Sequence, residues 1–389
     1  MSGQRESQQG REPEESAHAR QYYSVYSDTG NGSKGPGAPW VLEKAAPCRY
    51  TARTVISRTA QLFAASLLLG PALAAEDGAL LEHWRYDERA PLNVRHKGTE
   101  QRGGVRVYDL SYESPVGDRA GAVGPNGGMV TAYLVLPAGK GPFPAVLFGH
   151  WCMPGSEKKN RTEFLEEAVV LARQGVASLL PDHLMVQPGF HQDDYPLNEN
   201  QVPVMVQQVV NLRRGTDALV ARGDIDPKRL AYVGHSCNAT AGGFLSGIDK
   251  RFKAFVLMAG DLSDQVDKKS KPFEEFRQKL GPERVDAFME KYSWMDAGKY
   301  VSRASPAALF LQYASDEPFL DESMEKGYFA VASEPKKLKI YAAPHALNPE
   351  ATRDRIAFLS EQLSFDTPEA GAVAAIPVLV QPPWPKAAN

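Results

Sequence analysis

The chain has 389 residues, 43% of them hydrophobic and 23% charged, with a formal net charge of -3. That balance excludes disorder of the whole chain and supplies no basic excess with which to track a phosphate backbone, so nucleic acid is not an expected partner. Neither the spacing of the three cysteines, Cys48, Cys152 and Cys237, nor the histidines near them suggests zinc.

Residues 1–48 are rich in Gln, Glu, Ser, Gly and Arg without apolar periodicity and read as a disordered extension. From 49 to 74, Arg49, Arg53 and Arg58 precede an apolar run, Leu62 to Leu69, and a small-x-small site at Ala72-Leu73-Ala74, which is the layout of a signal peptide. The run is well short of the ~20 residues of a membrane span, so the expected destination is periplasmic or secreted, with no stable anchor. Val55 is a candidate start for such a signal, and a cytosolic protein with an apolar tail is the alternative.

Residues 75–366 then read as one domain of alternating strands and helices. "GVRVYDLSYES" and "MVTAYLVLPA" alternate apolar and polar positions around a Gly/Pro/Asn loop and predict an antiparallel pair. "FPAVLFGH" is uniformly apolar, as for a strand covered on both faces. A helix is expected from Thr162 to Gly175, then the strand "VASLLPDH", a long helix "VPVMVQQVVNLRRGTDALVAR", and the strands "RLAYVGHS" and "FKAFVLMAG" separated by a small-residue helix. About 262–303 is too long for a simple connection and predicts a helical cap insertion. Two further strand–helix units follow, "AALFLQYAS" with "DESMEKGYFAVAS" and "KKLKIYAAPH" with "NPEATRDRIAFLSEQL", and residues 367–389 read as a loosely attached Pro/Ala-rich tail. The sum is an α/β fold with a mostly parallel, eight-stranded sheet and helices on both faces. Its chemistry should collect at the carboxyl ends of the strands.

One strand ends on Gly234-His235-Ser236, followed by small residues suited to a helix. A hydroxyl placed on a strand-to-helix turn projects clear of the backbone, beside the next amide and the positive end of a helix, which is what nucleophilic attack on a carbonyl needs. "GHSCN" resembles the nucleophile elbow of the α/β-hydrolase superfamily, with Asn238 in place of the final Gly. From Val105 to Leu363 the order of elements is similar to the serine esterase branch that includes dienelactone-hydrolase-like and acetyl-xylan-esterase-like proteins.

The resemblance implies a triad in the order Ser236, an acid, then a His. Asp316 follows "AALFLQYAS" and is the expected acid, with Asp321 and Asp261 as alternatives. His345 follows "KKLKIYAAPH" and is the only His after residue 235. The expected oxyanion donors are the N–H of Cys237 and, from the loop "GHWCMPGS", that of Cys152 or Trp151. Cys152 and Cys237 are therefore either a disulfide or two small buried thiols. His150, Trp151, His235 and Met185 are candidate pocket residues; His191 with Asp193 and Asp194 reads as a solvated loop rather than a metal site. The implied activity is hydrolysis of a small-molecule carboxylic ester through an acyl-enzyme without cofactor. A peptidase, an acyl transferase or a hydrolase-like binding protein are the alternatives.

Overall fold

A computed structural model of the chain describes residues 78–124, 127–153, 155–187, 199–260, 263, 268–317 and 320–382. The predicted extension and signal, residues 1–74, lie outside them, as do Asp261, His191, Asp193 and Asp194. Residues 29–85 form a unit of their own, of which a short helix over 78–82 is described; the described part of the other unit lies within residues 86–382, which hold the sheet and the candidate site.

Nine strands form one sheet in the order β1-β2-β3-β5-β4-β6-β7-β8-β9. They are β1 (Arg95–Arg102), β2 (Val105–Glu113), β3 (Met129–Leu136), β4 (Phe143–Gly149), β5 (Ala177–Pro181), β6 (Ile225–His235), β7 (Phe252–Met258), β8 (Ala308–Asp316) and β9 (Lys336–Pro344). The pairs β1–β2, β2–β3 and β3–β5 are antiparallel, and every pairing from β5 across to β9 is parallel. The sheet thus has one strand more than the eight expected. The unforeseen one, β1, reads RHKGTEQR and is exposed almost throughout, so it has no apolar alternation to betray it; charge on a sheet edge also discourages pairing with other chains.

Helices cover both faces. On one lie α1 (Leu165–Arg173) and α7 (Pro349–Leu363), whose buried residues share a core with Val146, Phe148, Ala231, Val233, Val256 and Phe310 of the strands. On the other lie α2 (Gln201–Val220), α3 (Cys237–Ile248) and α6 (Glu322–Val331). β4 is buried on both faces, as its unbroken apolar run predicts. The stretch expected to be a helical insertion contains α4 (Lys271–Leu280) and α5 (Pro282–Lys291), which share a small core of Phe273, Phe276 and Val285. The C-terminal tail is better held than its composition suggests: Val373 is buried in the main core, and Leu379 packs against Trp151, Met153 and Ala346.

Candidate active site

Ser236 stands between β6 and α3 with φ 55° and ψ -120°, a conformation that side chains rarely adopt and that costs on the order of 1–3 kcal/mol. The neighbours over-determine it. Ser236 N–H donates to Met258 O (2.8 Å), while Ser236 O accepts from Ala239 N–H (2.8 Å) and Thr240 N–H (3.1 Å) as α3 begins. A Cβ on Gly234 would lie 2.4 Å from Asn238 O, so only glycine lets helix and strand approach this closely. Asn238, where the motif has glycine, is accommodated by a second glycine: a Cβ on Gly149 would lie 2.6 Å from Asn238 Cβ. The Asn238 side chain is fully buried, donating to His150 O (2.6 Å) and accepting from Gln208 Nε2 (2.9 Å), and so ties the elbow to the loop after β4.

His345 follows β9 at the same end of the sheet. Its Nδ1 lies 2.7 Å from Glu317 Oε2, and both side chains are only 1% exposed. Nδ1–H therefore donates to the carboxylate, and a neutral ring carries its lone pair on Nε2. The acid facing His345 is Glu317, not Asp316. The reason is local: the β8–β9 ladder shifts register between Ala314 and Asp316, so strand alternation cannot be extrapolated to the strand's end, and Asp316 is exposed there. Asp321, the other described alternative, caps α6 instead, accepting from Ser323 N–H and Met324 N–H.

The loop after β4 carries the expected oxyanion donors. Trp151 N–H is already committed, donating to Glu163 Oε2 at 2.5 Å, which removes it from that role and leaves Cys152. Cys152 and Cys237 are joined as a disulfide with Cα atoms 5.9 Å apart, so the bridge fastens the loop after β4 to the first residue of α3. Closing a loop of 85 residues stabilises the fold by roughly 2–5 kcal/mol. Replacing both cysteines by serine should lower the urea-unfolding free energy by about that amount, and treatment with dithiothreitol should lower that of the native protein alike; unchanged midpoints in both would contradict the bridge's structural weight.

Proteins of known structure share this architecture. An acetyl xylan esterase from a Paenibacillus species matches with TM-score 0.57 at 18% identity, covering 74% of this chain and 93% of its own. An acetyl xylan esterase from a Thermoanaerobacterium species gives 0.56 at 15% (73% and 93%), and a glucuronoyl esterase from Solibacter usitatus 0.52 at 14% (74% and 91%). The chain has the α/β-hydrolase fold. No family model and no curated protein matches its sequence.

Within this α/β-hydrolase fold, three of the four candidate pocket residues are interior. His150, Trp151 and His235 are 0–2% exposed, and only Met185 is half-buried. His150 Nε2 accepts from His183 N–H (2.7 Å), so its Nδ1 carries the proton and donates to Trp151 O (2.6 Å). Burial holds the His150 ring below its ordinary pKa, in keeping with that neutral tautomer. His183 accepts from Met185 N–H at Nδ1 (3.1 Å), and burial lowers its pKa to about 3. One of its ring nitrogens lies within 4.8 Å of both cysteine sulfurs, but Nδ1 is already taken up by Met185 N–H, a neutral ring accepting there carries its proton on Nε2, and bridged sulfurs are not thiolates, so this trio does not fit a metal. A polar cleft of about 550 Å³, lined by Tyr133, Lys159, Arg161 and Asp182 among others, opens beside the loops after β4 and β5 but includes neither Ser236 nor His345.

Two functional candidates escaped the sequence reading. Glu317 stands next to Asp316 in "SDEP", and only side-chain direction separates them. Glu163 falls inside the helix expected from Thr162, whereas α1 starts at Leu165, and the Glu163 side chain reaches inward to His235.

A third buried acid lies near this cluster. Burial, then the negative charge of Glu317, push the Glu325 carboxyl from 4.5 up to about 8. The folded protein holds a proton there that the unfolded chain releases, so this contribution to stability is full below about pH 4.5 and is lost as pH rises through about 8. Glu325→Gln should flatten the decline in thermal midpoint across that window; parallel declines in variant and native protein would refute the assignment.

Proposed function

We propose that the protein is a serine hydrolase that cleaves small-molecule carboxylic esters through an acyl-enzyme. The observation that carries this reading is the positive-φ Ser236 at a strand-to-helix turn, on the same end of the sheet as a His345 whose Nδ1 is held by a buried carboxylate. Ser236 Oγ attacks the ester carbonyl as His345 Nε2 takes its proton, and Glu317 keeps the imidazole oriented and stabilises the imidazolium. The oxyanion forms against the N–H groups of Cys237 and Cys152, with the N-terminus of α3 adding a favourable field. His345 returns the proton to the departing alcohol, then activates water to release the acid. No cofactor is needed for these steps.

Esterases among proteins of the same fold support the reaction class, and the disulfide supports an oxidising compartment, periplasmic or extracellular. A panel of p-nitrophenyl acyl esters, with matched anilides and alternative acyl acceptors, tests the reading. Hydrolysis with a burst of one nitrophenolate per site and a strong preference for esters is expected. A preference for anilides would indicate a peptidase, faster transfer than hydrolysis an acyl transferase, and no turnover a binding protein.

A further inference from the structure

His235, directly before the elbow, belongs to a second His–carboxylate pair. Its Nδ1 lies 2.7 Å from Glu163 Oε1, and the two side chains are 0% and 1% exposed. Its Nε2 lies 3.0 Å from the backbone carbonyl of His345. A carbonyl only accepts, so Nε2 carries a proton; the opposing carboxylate and Nδ1 share another. Glu163 also accepts from Trp151 N–H through its other oxygen. One buried carboxylate is thus bonded, directly or through His235, to the loop carrying Cys152 and to the loop carrying His345.

The rings follow the same plan. Trp151, His235 and His345 lie nearly parallel, with His235 centred 5.2 Å from Trp151 and 5.3 Å from His345. Strand alternation explains why His235 takes this place: it shares the face of Ala231 and Val233, which is the face of α1 and α7, and Glu163 and His345 immediately precede those two helices.

From this juxtaposition we infer that Glu163 and His235 form a positioning pair that locks the general base and the oxyanion loop in one register; the inference rests on the catalytic reading above. Neither residue touches the reacting atoms. Their effect is on how the His345 ring and the Cys152 amide are aimed, so their loss should appear in kcat and leave KM nearly unchanged.

Glu163→Gln can keep all three bonds, its carbonyl accepting from Trp151 N–H and its amide donating to His235 Nδ1, while Nε2–H still reaches His345 O. Glu163→Leu keeps the bulk and loses two of them. The expected result is that Glu163→Leu lowers kcat by about 10²-fold with KM within about threefold, and that Glu163→Gln stays within about tenfold of the native kcat. If Glu163→Leu does not fold, the pair His235→Gln and His235→Asn decides. Gln can place its amide where Nε2 was, Asn cannot, and Gln should retain at least about tenfold more kcat. Native kcat in Glu163→Leu, equal losses in the Leu and Gln variants of Glu163, or equal losses in both His235 variants would overturn the inference. Native protein and Ser236→Ala are assayed alongside. An inactive native protein or an active Ser236→Ala sinks the catalytic reading itself, whereas an insensitive Glu163 beside an active native protein and a dead Ser236→Ala sinks only the positioning pair.

Discussion

Glu317→Gln is expected to lower kcat/KM by about 10³–10⁴-fold, while Asp316→Asn, one residue earlier, stays within about twofold of the native protein. Glu317 is buried against His345 Nδ1 and, in the proposed mechanism, supplies the negative charge that favours the imidazolium formed during attack. Glutamine keeps the size and removes the charge. If its amide nitrogen faces the ring, it also reverses the tautomer, placing the proton on Nε2 where the lone pair is required. Asp316 is exposed and stands outside this contact. A large loss in Asp316→Asn with a mild one in Glu317→Gln would return the acid to the position that the sequence alone suggested. Measurement of kcat/KM on one p-nitrophenyl ester, with circular dichroism to verify folding, separates the two.

Ser236→Ala should remove about 10⁶-fold of kcat, the largest effect expected in this protein, without loss of fold. Alanine retains the Cβ and hence the backbone geometry imposed at φ 55°, so Met258 O and the start of α3 keep their bonds to residue 236. Combined with Glu317→Gln, it should cost nothing more than Ser236→Ala alone, because residues acting on one proton transfer are not additive. Residual turnover of Ser236→Ala above about a thousandth of native would place the nucleophile elsewhere.

Much of this arrangement is legible in the sequence because it follows from periodicity and from glycine. The apolar strands β4 to β9, the helix after Ser236 and the late, solitary His345 are each dictated by local pattern. Edge strand β1 is hidden because an exposed edge needs no apolar face. The choice between Asp316 and Glu317 is hidden because it depends on a register shift between β8 and β9, a pairing of distant segments. The Cys152–Cys237 bridge was one of two readings because spacing in sequence says nothing about the Cα separation that permits it. Residue type alone does not separate a base from a structural histidine: the ring nitrogens of His150, His183 and His235 are held mainly by backbone groups and by Glu163, contacts that no sequence pattern announces. Asn238 in place of glycine mattered less than the motif suggests, since Gly149 provides the space across the interface.

Activation of the Ser236 hydroxyl by His345 and Glu317 is the core of the proposed mechanism. It is tested most directly by reacting the native protein with a fluorophosphonate, digesting it and locating the adduct by mass spectrometry. One adduct per chain on Ser236, formed at least about 10²-fold more slowly in Glu317→Gln, is the predicted result. An unlabelled native protein, or an adduct on any other residue, would contradict it.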